Sequence, residues 1–242
     1  MWLTNSSIGR KVVMSVTGVC FFLFLLFHGA MNLVAVFSAE GYNEIAHFLG
    51  TNPVVQFMVP ILMAIILIHI IYSIMLWSQN RKARGNDRYE VTGKAKIDWA
   101  SKNMLLLGLI ILGGIVLHLI NFWAKMQLQA WMGNASVVAS TQMEYIFSKP
   151  WIVIIYLLWF CAIWFHLSHG IWSAAQTVGL NNKKWINIWK TIGYVFATLI
   201  LLMFAFVAIA FYLKSVGVWP EVGNIWHLGA AGEIPASQYY GF

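Results

Sequence analysis

Five times along this chain the polar residues give way to an apolar run that holds no Asp, Glu, Lys or Arg. The runs are Val12 to Phe37, Pro53 to Ser78, Asn103 to Trp123, Pro150 to Val178 and Thr191 to Leu213. Each exceeds the roughly 20 residues that cross a ~30 Å hydrocarbon layer at ~1.5 Å per residue. Unbroken apolarity over that length reads as a lipid-embedded helix, whereas a half-buried strand would alternate and stop sooner. Trp77, Trp123, Trp151, Trp172 and Trp189 lie at or near the run ends, and indole rings favour the headgroup level. The pattern predicts an all-α fold, an integral membrane bundle of five transmembrane helices over residues 1–213, with a tail over 214–242. Between the runs, Ser38 to Asn52 reads as a short loop, Gln79 to Lys102 as a charged loop, and Ala124 to Lys149 as a polar, partly helical one. The tail after Lys214 carries Pro220, Pro235 and several Gly, and no regular structure is expected there.

Composition and charge sharpen this picture. The 242 residues are 60% hydrophobic and 10% charged, with a formal net charge of +7. Twelve of the basic residues fall before the first run and in the second and fourth loops: Arg10, Lys11, Arg81, Lys82, Arg84, Arg88, Lys94, Lys96, Lys102, Lys183, Lys184 and Lys190. Only Lys125, Lys149 and Lys214 lie on the opposite side. Such an excess marks the cytoplasmic face, so the N-terminus is expected in the cytoplasm and the tail outside. The positive charge is therefore topology rather than a nucleic-acid footprint, and basic inner loops suit an acidic cytosolic subunit or anionic lipid. The first run is too long for a signal-peptide core and lacks a clean small-residue cleavage site, so it reads as a retained helix. Cys20 and Cys161 lie inside runs as small apolar fillers, and no Cys-x-x-Cys-His is present for covalent haem attachment.

Five of the seven histidines lie inside the apolar runs: His28, His69, His118, His166 and His169. An ionisable side chain at that depth marks a functional site by default. No acid in any run can pair with these rings, so a metal is the natural partner. Helix direction alternates, which places His28 and His118 beyond mid-membrane towards the outside, and His69 and His166 towards the cytoplasm. Two pairs result, one in each leaflet, each drawn from two helices of a four-helix arrangement. Bis-histidine ligation of haem b needs such a layout, one imidazole on each face of the macrocycle. With each ligand about 3 to 6 residues from its helix centre, the two irons would stand on the order of 10–15 Å apart along the membrane normal. Two-histidine sites lack the four protein ligands usual for zinc.

The fourth run offers both His166 and His169, three residues apart and so on one helix face. His166 is favoured as the ligand, because Gly170 follows one turn later and leaves room for a ring. His169 then remains an alternative ligand or a hydrogen-bonding neighbour. Gly108, Gly113 and Gly114 in the third run permit close approach, either of another helix or of a flat cofactor.

The chain resembles the cytochrome b subunit of the succinate:quinone oxidoreductases, the succinate dehydrogenase and fumarate reductase family, in its single-anchor, two-haem form. The resemblance rests on Ser6-Ser7-Ile8-Gly9-Arg10-Lys11 with Ser15 and Thr17-Gly18, on Phe27-His28-Gly29, His69 and Leu117-His118-Leu119, and on His166-x-x-x-Gly170. It covers about residues 5 to 213. It implies that His28 and His118 bind a distal, outer haem b and that His69 and His166 bind a proximal, inner one. It further implies a flavoprotein subunit and an iron–sulfur subunit on the cytoplasmic face of a bacterial inner membrane, and menaquinone reacting near the outer haem. Homodimerisation of the complex, the quinone type and the direction of the reaction stay open. Some members carry a Glu two residues before the fourth-helix ligand, implicated in proton transfer. Here that position is Trp164, and an indole cannot relay a proton as a carboxylate does.

A quinone site needs an acid or base to exchange protons. On the outer side Glu44 is the leading candidate, with Glu40 and His47 behind it. Two rivals remain. The first is the cytochrome b anchor of a hydrogenase or formate dehydrogenase, against which one ligand on each of four successive helices argues. The second is a haem-free transporter or structural anchor, against which the absence of acids in the runs argues.

Overall fold

The computed structural model describes residues 6–84, 99–180 and 182–226. Arg88, Lys94 and Lys96 of the basic loop, and the tail beyond Trp226, lie outside the described residues. Among those described the fold is helical, without a strand. Helix α1 spans Ser7–Phe37, α2 Ala39–Thr51, α3 Pro53–Arg84, α4 Trp99–Lys102 and α5 Met104–His118. A π-helical turn, Leu119–Trp123, continues α5. Then come α6 Gln127–Trp131, α7 Ala139–Phe147, α8 Pro150–Thr177 and α9 Lys183–Ser215. Five helices are long and apolar enough to cross a membrane, and they coincide with the five apolar runs.

Helix ends follow the local chemistry. The Ser6 hydroxyl accepts from Gly9 N at 2.9 Å, so α1 begins before the first apolar run. Ser38 caps α2 by accepting from Gly41 N at 3.0 Å. The segment expected as a short loop is therefore a helix, because an N-cap Ser and three turns of compatible residues precede the next stop. That stop is Asn52, whose Oδ1 accepts from Val54 N and Val55 N at 3.0 and 3.3 Å and so starts α3. Pro53 then occupies the first helical position, where a missing N–H costs nothing. Asn182 caps α9 in the same way, accepting from Lys184 N and Trp185 N. Helix α8 closes at Gly179, where φ is +90° and Leu180 N returns to Ala175 O at 3.0 Å. Only a residue without Cβ takes that backbone freely.

The chain divides into two compact units: Met1–Leu25, Val59–Leu109 and Ala162–Thr198 in the first, Leu26–Met58, Ile110–Cys161 and Leu199–Phe242 in the second. Each long helix contributes residues to both. The first unit buries Ser15, Thr17, Leu107, Leu167, Ser168, His169 and Ala197. Within it Gly193 brings α9 against α8, since a Cβ there would stand 3.1 Å from Ser168 O. The second unit buries Val36, Met143, Phe147, Tyr156, Phe160, Phe211 and Val222. Its short helices are tied by side chains. Asn43 Nδ2 donates to Ser140 Oγ at 2.9 Å and Asn43 Oδ1 accepts from Ser140 N at 2.9 Å. Lys214 pairs with Glu144. The first part of the tail is also ordered against α1: Gly223 N donates to Val36 O and Ala39 N to Gly223 O, both at 2.7 Å. Large apolar side chains face outward along the long helices, with Phe57 70% and Leu158 66% exposed. That inversion suits helices whose surroundings are hydrocarbon.

Candidate functional site

Two pairs of histidines meet, one in each unit. In the first unit α3 brings His69 opposite His166 of α8, with ring centroids 6.3 Å apart and planes at 59°. In the second, α1 brings His28 opposite His118 at the end of α5, at 5.8 Å and 89°. All four rings are half-buried. Two imidazoles that shared one metal ion, at bonds of about 2 Å each, would have a comparable spacing, and so would rings packed edge to face, at roughly 4.5–7 Å between centroids. Among the described residues no three His, Cys, Asp or Glu side chains gather to hold a metal ion. Each candidate centre is therefore a pair, and two imidazole nitrogens could serve only an ion whose remaining ligands came with it.

The His69/His166 pair is set by a hydroxyl. Thr17 Oγ1 lies 2.8 Å from His69 Nδ1. It also lies 2.9 and 3.1 Å from Val13 O and Met14 O of its own helix. Phe21, one turn on, packs edge-on against His69 at 5.3 Å. The Nδ1 atom of His166 is buried with no hydrogen-bond partner among the described residues. Beside it Gly170 faces open space, with nothing within 4 Å of a Cβ placed there. An unanswered ring nitrogen and a bare glycine one turn away fit a flat group held between the two histidines. His169 packs edge-on against Trp172 at 4.7 Å. Of the two, it is His166 whose ring stands opposite His69. Trp164 Nε1 donates to Thr198 Oγ1 at 3.0 Å, a neutral tie between α8 and α9.

The His28/His118 pair is walled by aromatic rings. Around His118 lie Phe122 at 5.1 Å, Trp159 at 5.9 Å and Tyr156 at 6.4 Å, and Phe204 lies 5.8 Å from His28. The π-helical turn begins immediately after His118, closed by Ala124 N on Leu119 O at 2.7 Å. Such turns are rare and recur at functional positions. Within it Asn121 donates to Tyr156 Oη at 3.2 Å, while its own carbonyl accepts from Gln142 Nε2 at 2.6 Å. Gly114 serves packing: a Cβ there would fall 2.1 Å from the Trp159 indole, whose Nε1 donates to Ile111 O at 3.1 Å. Gly108 and Gly113 meet no neighbour.

Glu44 lies in the same unit as His28 and His118, on the exposed side of α2, as does His47. Glu40 is half-buried. Tyr42 links α2 to α1: its hydroxyl donates to Asn32 Oδ1 at 3.2 Å. Asn32 Nδ2 in turn donates to the backbone carbonyl of His28 at 2.7 Å. Burial pushes the Tyr42 phenol up to about 12. Thr17 and Trp159 contact the paired rings, and Asn32 and Tyr42 lead to the backbone of His28; sequence reasoning singled out none of the four as site residues. Asn32, four residues after His28, carried a helical-spacing signal. Tyr42 and Trp159 carried none.

No family model, no curated protein and no solved structure matches the chain.

Proposed function

We propose that this protein is the two-haem cytochrome b anchor of a succinate dehydrogenase or fumarate reductase, passing electrons between a quinone and iron–sulfur and flavin subunits. The observation that carries the reading is the meeting of four histidines as two facing pairs, at 5.8 and 6.3 Å between ring centroids. One facing pair would be a packing accident or a hydrogen-bond couple. Two pairs, each joining helices two apart among the five long ones, fit a shared ligand chemistry. Bound haem b would supply one-electron transfer at each pair. The chain's own residues do the rest. His28 and His118 present nitrogens across one gap, and His69 and His166 across the other. Phe122, Tyr156, Trp159 and Phe204 exclude water from the first pair. Glu44 is the proposed acid or base for the protons of a quinone, preferentially menaquinone, near that pair.

The same reading places the protein in a bacterial cytoplasmic membrane, N-terminus inside. The basic segments around Arg81 and Lys190 would then face the soluble subunits or anionic lipid. The test is a visible redox titration of the purified complex. Two haem b groups per chain are expected, and His118→Ala halves the haem while the remaining centre keeps its spectrum. A chain purified colourless, or a stable variant that keeps both haems, sinks the assignment. Co-purified subunits decide the enzyme: flavin with succinate activity supports it, and nickel or molybdenum moves the anchor to a hydrogenase or formate dehydrogenase.

A further inference from the structure

We propose that Thr17 is the positioning residue of the His69 centre: its hydroxyl selects which nitrogen of His69 faces the metal and fixes the plane of that ring. The inference rests on the haem reading above and goes beyond it, since the ligand pairs alone say nothing of tautomers. A threonine hydroxyl carries a single hydrogen. In a helix that hydrogen goes to a carbonyl one turn back, and Val13 O and Met14 O stand at 2.9 and 3.1 Å to take it. The oxygen then offers only lone pairs to its other neighbour, His69 Nδ1 at 2.8 Å. That nitrogen must therefore carry the proton. A neutral imidazole has one N–H, so Nε2 keeps its lone pair for a metal.

The surroundings strengthen the selection. Thr17 is buried, so no water competes for either bond, and its β-branched side chain has few rotamers to wander through. Phe21 holds the same ring edge-on from one turn further along α1. His69 is thus gripped at two points by a helix that supplies no ligand to its own pair. Hydrogen bonding at Nδ1 makes Nε2 more electron-rich, which favours the oxidised metal and tightens its hold.

The complex carries its own control, because Thr17 lies with the His69 pair and the His28 pair belongs to the other unit. Thr17→Val keeps the shape and removes the acceptor, and Thr17→Ser restores it. In Thr17→Val we expect one haem alone to titrate at a higher midpoint potential, with changed low-spin EPR g-values. That haem is also expected to be lost to apomyoglobin about 10–100-fold more readily, while the other matches wild type and Thr17→Ser reverts the change. Two unshifted haems in Thr17→Val overturn the proposal, as does a shift that Thr17→Ser leaves in place. If Thr17→Val does not assemble, pulsed ENDOR on the wild-type complex decides: a hydrogen-bonded Nδ1 proton on the ligand of this haem supports the assignment, and its absence ends it. A complex without haem overturns both this inference and the functional reading; haem in both pairs, indifferent to Thr17, overturns only this one.

Discussion

The two histidine pairs are alike in chemistry and unlike in support. His69 is held by a hydroxyl on its Nδ1, and its partner His166 has Gly170 and open space beside it. His28 and His118 are held by bulk, in a cluster of Phe122, Tyr156, Trp159 and Phe204. A directional bond fixes one atom, whereas packed rings fix a volume. The first kind of site should respond to the loss of a single oxygen, the second to changes in shape. This difference separates what a substitution does to the protein from what it does to a bound group.

The largest effect is expected at Gly114. A Cβ there lies 2.1 Å from the indole of Trp159, too close for any real contact. Gly114→Ala must push the indole aside and break its bond to Ile111 O. Overpacking of this kind costs about 1–3 kcal/mol, and the lost hydrogen bond about 1 kcal/mol more. Thermal melting in detergent should fall, and any group held by the His28/His118 pair should be lost first. Trp159→Leu in the same chain should recover much of the loss, since the two sites share one contact. Equal losses in the single and double variants would show that the pair is not held by this packing.

Gly170→Ala should act differently. A Cβ at Gly170 meets nothing within 4 Å, and alanine favours a helix by roughly 0.5–1 kcal/mol over glycine. The haem-free chain should therefore be unharmed or slightly more stable. If a macrocycle lies between His69 and His166, the added methyl meets it, and haem retention at that pair should fall while the other pair is unchanged. Undiminished haem content would place the group away from Gly170.

The difference between these glycines bears on what could be read in advance. The five apolar runs and the positions of the four histidines along their helices were legible because each depends on residue type and position within one helix. Capping can also be read locally, yet the segment after Ser38 reads as a loop in the sequence and is helix α2 in the structure. The Ser38 cap and the turns of α2 are modest signals beside twenty apolar residues. Gly170 reads as room for a ring beside His166, whereas Gly114 cannot be assigned from the sequence, since a bare glycine looks the same whether a helix or a cofactor approaches it. Thr17 stood out in the sequence only as part of a motif. Its bond to His69 spans 52 residues of chain, and no spacing within α1 could announce it.

The smallest effect concerns the link from α2 to His28. Tyr42→Phe removes the hydrogen bond to Asn32, worth about 1 kcal/mol, and leaves the Asn32 bond to His28 O in place. At neutral pH the His28/His118 pair should loosen slightly and the His69/His166 pair should not respond. The alkaline limb distinguishes the variant more sharply. The Tyr42 phenol is pushed up to about 12 by burial, against roughly 10 in an unfolded chain. The folded state therefore holds this proton where the unfolded state has released it. The stability that this supplies is fully present below pH ~10 and is lost as pH rises towards ~12. Melting of the wild type should fall through that window, and Tyr42→Phe should fall less steeply because its ring has no proton to lose. Identical slopes for the two proteins would mean that the hydroxyl is open to water, and that α2 gives His28 no more support than an ordinary surface helix would.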